Sequence, residues 1–198
     1  MAKDSDNVYL GNPNLKKANT PISFTKKQVA EFLKCKDDPV YFTEKFIKII
    51  NLDEGLVPFD MYPFQRKLIH NFHNSRFNIC KMPRQSGKST TVVSYLLHYA
   101  LFNDSVTIGI LANKAQTARD LLGRLQIAYE ALPKWMQQGI IAWNKGSMEL
   151  ENKSKIIAAS TSASAVRGMS FNIIFLDEFA FIPNHIADDF FSSVYPTI

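Results

Sequence analysis

The stretch FNICKMPRQSGKST, residues 77–90, decides the fold of this chain. Its first four residues suit a short β-strand, and a helical pattern follows it to about Leu101. Gly87 permits a tight turn in which successive backbone N–H groups point at phosphate oxygens. Gly87-Lys88-Ser89 completes the second half of the fingerprint G-x-x-x-x-G-K-[ST], with Met82 at the first glycine position. The order of strand, loop and helix therefore predicts a phosphate-binding loop.

The predicted loop carries the groups that a nucleoside triphosphate and its metal ion require. Lys88 offers a positive charge for the β- and γ-phosphates, and the hydroxyl of Ser89 can bind Mg²⁺. A helix that starts near Lys88 adds the positive end of its dipole. The guanidinium of Arg84 either reaches the γ-phosphate and neutralises charge in the transition state or contacts only solvent. The candidate nucleotide-binding residues of the loop are Pro83, Arg84, Gln85, Ser86, Gly87, Lys88, Ser89 and Thr90.

A pair of acids supplies the second half of the predicted site. Four apolar residues, 173–176, run directly into Asp177 and Glu178. In a nucleotide-binding sheet, a carboxylate at the carboxyl end of a buried strand is where a Mg²⁺-binding aspartate belongs. Asp177 is thus the candidate metal ligand, and Glu178 is the candidate for polarising the attacking water. The alternative is a strand end that carries two solvated acids.

Gln65 lies about twenty residues before the loop, in a predicted helix that begins at Pro63. Its amide offers one donor group and one acceptor, which matches the edge of adenine. The alternative is an ordinary exposed glutamine on a helix surface.

The remaining pattern predicts an α/β protein with a mainly parallel sheet flanked by helices and an antiparallel hairpin insertion within 140–160. Helices are expected from Thr25, from Asp38-Pro39, and over about 114–131 and 186–194, and a buried strand over 106–112. Residues 1–21 are expected to be a flexible polar arm and 51–62 a turn-rich connector. A domain over 22–198 then comprises a helical lead-in, about 22–60, and a nucleotide-binding core, about 61–198.

Composition excludes several classes of protein. Hydrophobic residues make up 46% and charged residues 21%, which is typical of a globular domain and not of a disordered or coiled-coil chain. The net charge of +5 permits a nucleic-acid partner without requiring one. Two distant cysteines give no zinc motif and favour a reducing compartment. No signal-peptide pattern or membrane-length apolar run occurs, so we expect a protein that is neither secreted nor membrane-bound.

Several further stretches carry a family resemblance. The chain resembles the N-terminal ATPase region of the large terminase subunit of tailed bacteriophages, most closely the myophage type. Ordinary phosphate-loop proteins share the two nucleotide motifs but lack the Trp-Asn-Lys-Gly-Ser and Val-Arg-Gly segments. The stretches that carry the resemblance are 62–66, 82–90, 109–114, 132–133, 138–140, 143–147, 165–168 and 175–183.

The resemblance implies an ASCE-type P-loop NTPase fold, with ATP and Mg²⁺ as cofactors and double-stranded DNA as the substrate that is moved. It implies that Arg84 is a finger acting in cis, Glu178 the catalytic carboxylate and Gln65 an adenine contact. Arg167 becomes a candidate finger for the ATP of a neighbouring subunit. The implied partners are a portal protein, a small terminase subunit and further copies of the chain in a ring, in the host cytoplasm and transiently docked on the procapsid portal.

The same resemblance implies segments that this sequence does not contain. In the family, a coupling strand follows the acid strand and inserts between it and the loop strand, and an RNase H-like nuclease domain follows later. We therefore expect a fragment of the motor, incomplete at its C-terminus and a poor ATPase by itself.

Two other classes of function stay open at this point. One is another ASCE nucleic-acid translocase or helicase-like ATPase, which would need helicase motifs after the acid strand. The other is a truncated module that binds nucleotide without turnover.

Overall fold

A five-stranded mixed sheet forms the centre of the computed structural model, which describes residues 7–51, 53–161 and 168–193. Its strands are β5 (Thr107–Ala112), β6 (Ile140–Trp143), β7 (Ser147–Leu150), β8 (Lys155–Ser160) and β9 (Ile173–Asp177). Their order across the sheet is β6-β7-β8-β5-β9. The strands β8 and β9 pair with β5 in parallel, whereas β6–β7 and β7–β8 are antiparallel.

The α/β class is confirmed, but the prediction of a mainly parallel sheet is wrong, because two of these four pairings are antiparallel. The predicted hairpin does form, with β7 and β8 close to their expected positions. The hairpin is not a separate insertion, however, because its second strand, β8, also pairs in parallel with β5. The hairpin therefore extends the central sheet.

The strand β5 is covered on both faces, as its unbroken apolar sequence requires. Ile108 and Ile110 belong to the main hydrophobic core, whereas Leu111 belongs to a second cluster with Phe171 and Phe190. Successive side chains of a strand point to opposite faces, so these two clusters lie on opposite sides of the sheet.

Helices cover the sheet. They are α1 (Lys26–Asp37), α2 (Pro39–Phe46), α3 (Pro63–Asn74), α4 (Lys88–Phe102), α5 (Ala115–Glu130) and α6 (Asn184–Ser193), and Phe179–Phe181 form a 3₁₀ turn. The helix α5 packs on β5 and β8, α4 packs on α5, and α2 and α3 pack on α4. Phe190 of α6 belongs to the second cluster. Among the described residues, no helix combines the length and the apolar character that crossing a membrane demands.

The predicted starts of the first two helices are confirmed by their caps. The hydroxyl of Thr25 accepts from the N–H of Gln28 at 3.2 Å, and the Gln28 side chain accepts from the N–H of Thr25 at 2.9 Å. The carboxylate of Asp38 accepts from the N–H groups of Val40 and Tyr41 at the start of α2.

Residues 7–20 do not form the flexible arm that was expected over 1–21, of which residues 1–6 lie outside the described part of the chain. They contain an antiparallel pair, β1 (Val8–Tyr9) and β2 (Asn12–Lys16), and Leu15 is buried. The Lys16 ammonium pairs with the Glu151 carboxylate at 2.7 Å, and the Lys16 N–H donates to the buried Gln137 side chain at 3.0 Å. The segment is ordered because its polar groups find partners more than 100 residues away in the sequence.

Two further predictions of local structure are wrong. Part of the expected connector forms a hairpin of β3 (Lys48–Asn51) and β4 (Gly55–Pro58). The predicted strand at Phe77–Cys80 does not form, and Ile79 is 99% exposed. Within the described residues β9 pairs only with β5, so residues 77–80 do not join the sheet at the other edge of β9. An apolar run needs a neighbouring strand to pair with, and this segment has none there.

Candidate nucleotide-binding site

The phosphate-loop residues form a tight turn that leads directly into α4. Gln85 has φ of +61° and Gly87 has φ of +72°, so two left-handed residues flank Ser86. A positive φ is uncommon for a residue with a side chain and suits glycine. The helix α4 begins at Lys88, and the N–H of Thr91 makes the first intrahelical bond, to the carbonyl of Gly87. The first amides of α4 therefore stand free at the positive end of the helix.

The structure brings Lys88 and Asp177 together. Asp177 is the last residue of β9 and is only 7% exposed. Burial raises the pKa of its carboxyl group, the Lys88 ammonium opposes that rise, and the neighbouring Glu178 carboxylate adds to it. The two halves of the predicted site, 89 residues apart in sequence, thus share one electrostatic environment.

Glu178 occupies a different environment from Asp177. It is exposed, and its backbone is left-handed with φ of +51° and ψ of +36°. That conformation costs free energy in a residue with a side chain, and such outliers cluster at functional sites. The chain therefore turns sharply at the end of β9 and leaves a buried carboxylate beside a solvent-accessible one.

Gln65 is buried against the loop and bonded to the backbone at both ends of its carboxamide. Its Oε1 accepts from the N–H of Tyr62 at 2.8 Å, and its Nε2 donates to the carbonyl of Ser86 at 3.2 Å. The expected contact with adenine stays a prediction, but the alternative of an exposed helix glutamine is wrong, because only 2% of Gln65 is exposed.

An apolar cavity of about 550 Å³ opens beside the loop. One side of it is a face of α3 formed by Phe64, Lys67, Leu68 and Asn71, which are spaced as i, i+3, i+4 and i+7. Gln65 lies on a different face of this helix and does not line the cavity. The lining residues are Tyr62, Phe64, Lys67, Leu68, Asn71, Met82, Pro83 and Ser86.

The other predicted site residues are placed as follows. Ser89 and Thr90 are half-buried in the first turn of α4, and Pro83 and Arg84 are exposed on the loop. The hydroxyl of Ser86 is buried without a hydrogen-bond partner in the described part of the chain. Arg167 lies outside the described residues.

Two residues near the site escaped the sequence interpretation. Burial raises the pKa of the Cys80 thiol and Lys88 lowers it, so this cysteine lies close to the lysine. Arg124 of α5 also favours the charged form of Asp177. Cys80 lies within the stretch 77–90, but the phosphate-loop fingerprint gives it no role. Arg124 has no local motif, and only the folded chain brings it within electrostatic reach of Asp177.

Comparison with known proteins matches the region that contains the phosphate loop and the acid pair. The family described as the N-terminal part of the large terminase subunit, T4-like-virus type, matches residues 79–189. The crystal structure of the HK97 bacteriophage large terminase superimposes with a TM-score of 0.64 at 18% sequence identity. That match covers 79% of this chain and 34% of the HK97 protein, so the chain spans about a third of that protein's length.

Proposed function

We propose, from the premise that this chain belongs to the T4-type family of large terminase subunits, that it carries the ATPase site of a DNA-packaging motor. Membership of the family places it with the N-terminal region of the large subunit. ATP as the fuel, hydrolysis as the reaction and an ASCE-type P-loop fold are the finer parts of the proposal.

The observation that most supports the proposal is the proximity of Lys88 and Asp177. A positively charged loop at a helix N-terminus attracts phosphate, and a buried carboxylate at the carboxyl end of a strand suits a metal ion. The orphaned hydroxyl of Ser86 also favours an anion in the loop, because a buried hydroxyl normally has a hydrogen-bond partner.

The donor set beside the loop fits Mg²⁺. This ion is usually held by one or two protein oxygens together with substrate phosphates. The Ser89 hydroxyl and the Asp177 carboxylate would provide the protein oxygens. When bound, Mg²⁺ would supply positive charge that offsets the negative charge of the phosphate groups during phosphoryl transfer.

The chain's own residues would then divide the remaining work. The first amides of α4 and the Lys88 ammonium would hold the triphosphate, and the exposed Glu178 would orient and deprotonate the attacking water. Arg84, exposed on the same loop, would offset transition-state charge in cis, and Arg167 would do so for a neighbouring subunit. The apolar cavity beside α3 would accommodate the base.

The proposed partners follow from the family. They are double-stranded DNA, a portal protein, a small terminase subunit and further copies of the chain in a ring, and the site of action would be the host cytoplasm at the procapsid portal. Contact with duplex DNA would be to phosphates, and hence sensitive to salt and independent of sequence.

Binding of a fluorescent ATP analogue tests the proposal. Lys88→Ala removes a charge from the loop and should weaken binding about a hundredfold, because a charged phosphate contact is lost at a helix N-terminus. Lys26→Ala is the matched control, since Lys26 is also a lysine at the first position of a helix, α1, but lies outside the site. Equal affinity of the Lys88→Ala variant and the unmodified chain would contradict the proposal.

A hydrolysis assay beside the binding assay separates the two remaining alternatives. Binding with Mg²⁺-dependent release of phosphate would support an ATPase. Binding without phosphate release would instead favour a nucleotide-binding module without turnover.

A further inference from the structure

Asn71 of α3 has a free carboxamide beside the apolar cavity. The residue is half-buried and lines the cavity about two turns after the start of the helix. Its carboxamide makes no hydrogen bond within the described part of the chain. Asn74, one turn further along, differs, because its Nδ2 donates to the carbonyl of His70 at 2.8 Å. Asn71 therefore keeps both a donor and an acceptor for a ligand.

The helix itself does not explain an asparagine at this position. Asparagine is a poor helix former, because its side chain competes with the helix for backbone groups. Asn74 and Asn103, at the ends of their helices, satisfy this tendency by donating to the carbonyl four residues earlier. Asn71 lies within its helix and makes no such bond, so its carboxamide is available to a group outside the helix.

The other residues around the cavity make this carboxamide distinctive. Phe64, Leu68 and Met82 give the cavity apolar walls. Of the lining residues that the structure describes, only Asn71 carries a carboxamide, and the Lys67 ammonium offers donors alone. Ligand cavities of this kind orient their ligand through a few polar groups among apolar ones. A carboxamide suits adenine, since it accepts from the 6-amino group and donates to the neighbouring ring nitrogen.

We propose that Asn71 is a specificity-determining residue, whose carboxamide pairs with the 6-amino group of adenine and with the ring nitrogen beside it. This inference rests on the proposed function, because it requires the base of a nucleoside triphosphate to lie in the cavity. It deepens that function by naming adenine nucleotides as the preferred class.

The role of Asn71 is compatible with an adenine contact of Gln65. Gln65 is bonded to the N–H of Tyr62 and to the carbonyl of Ser86, and it retains one N–H and one oxygen lone pair. Asn71 lies six residues later, about 9 Å along the helix axis. The 6-amino group of adenine carries two hydrogens, each beside a different ring nitrogen, so two carboxamides can contact one base without competing.

The substitution Asn71→Leu removes the donor and the acceptor and keeps a side chain of similar size. The probes are ATP, purine riboside 5′-triphosphate, which lacks the 6-amino group, and inorganic tripolyphosphate. We expect affinity for ATP to fall about tenfold, because two hydrogen bonds are lost. Affinity for purine riboside triphosphate should fall by a smaller factor, and affinity for tripolyphosphate should not change. The ratio of the first two affinities thus measures the contact of Asn71 with the amino group.

The matched control is Asn74→Leu. It makes the same replacement on the same helix, but Asn74 is exposed and does not line the cavity. This variant should bind all three ligands as the unmodified chain does. If Asn71→Leu left the affinity for ATP unchanged, or weakened ATP and purine riboside triphosphate by the same factor, the proposed contact would be refuted.

A measurement on the unmodified chain covers the case in which the variant does not fold. ATP should shift the side-chain amide NMR signal of Asn71 more than tripolyphosphate does, and equal shifts would refute the inference. Failure of the unmodified chain to bind any of the three ligands would refute the proposed function and this inference with it. Binding of ATP that does not respond to Asn71→Leu would refute this inference alone.

Discussion

Burial raises the pKa of Asp177 at the end of β9, and the ammonium of Lys88 at the start of α4 lies within electrostatic reach and opposes that rise. The adjacent Glu178 is exposed, so two successive carboxylates differ in their access to water. The buried one is suited to bind a metal ion and the exposed one to contact a water molecule. The difference in burial leads to separate expectations for the two residues.

Glu178→Gln should preserve nucleotide binding and reduce hydrolysis at least a hundredfold, because an amide cannot accept the proton of the attacking water. Steady-state phosphate release and nucleotide affinity, measured on the same preparation, test this expectation. Glu54→Gln changes an exposed glutamate outside the site and should leave both unchanged. Turnover within tenfold of the unmodified chain would remove Glu178 from the role of general base.

The cavity beside α3 gives a second expectation. Leu68→Trp should fill part of the cavity and weaken ATP binding at least about tenfold, because the base loses its space. Binding of inorganic tripolyphosphate should not change, since the loop is left intact. Leu33→Trp, on an exposed face of α1, is the matched control. An unchanged affinity of the Leu68→Trp variant for ATP would show that the base lies elsewhere.

Local signals in the sequence predicted the helices well. The capping pair Thr25 and Gln28 and the Asp38-Pro39 start are contained within a few residues, and both form as expected. The ordered N-terminal hairpin was missed because its stabilising contacts are distant. Lys16 contacts Glu151 and Gln137 only after the chain has folded, and the polar composition of residues 7–20 does not indicate these partners.

In the candidate site, too, local motifs could be predicted and contacts between distant residues could not. The loop and the acid pair can be predicted because each motif is contiguous in sequence, and because a carboxylate at the carboxyl end of a buried strand is where a metal-binding aspartate belongs in a nucleotide-binding sheet. The contact of Gln65 with Ser86 depends on the packing of α3, which no motif encodes. The prediction of a strand at 77–80 was wrong because an apolar pattern does not show whether a neighbouring strand is there to pair with it. The resemblance implies a coupling strand between this segment and β9, and that strand stays a prediction.

The buried His98 should make the stability depend on pH. Burial lowers its pKa from 6.5 to about 4, and its Nε2 contacts the carbonyl of Cys35 at 2.8 Å. The folded chain therefore resists protonation, whereas the unfolded chain takes up a proton near pH 6.5. Stability should be full above that pH and should fall, by on the order of 3 kcal/mol, as the pH drops from 6.5 to 4.

Denaturant unfolding at a series of pH values measures this loss. His98→Gln should lower stability at neutral pH but remove most of the slope between pH 6.5 and 4. The exposed His70→Gln is the control and should retain the slope. Identical slopes for His98→Gln and the unmodified chain would assign the acid sensitivity to other groups, of which His73 is the nearest histidine.

The ion pair of Lys16 and Glu151 should contribute at lower pH. Burial alone would raise the pKa of Glu151. Hydrogen bonds from Lys16 and from the N–H of Asn19 lower it by more than burial raises it, so the net pKa lies below 4.5. The stabilisation is thus present above pH 4.5 and is lost as the pH falls through the folded value. Glu151→Gln should flatten the stability curve below pH 4.5, and Glu54→Gln should not.

Lys16→Met should release the N-terminal hairpin, because it removes the ion pair with Glu151. Faster amide exchange in residues 8–16 would show this release. Unchanged exchange there would show that Gln137 and Leu15 hold the hairpin without the ion pair.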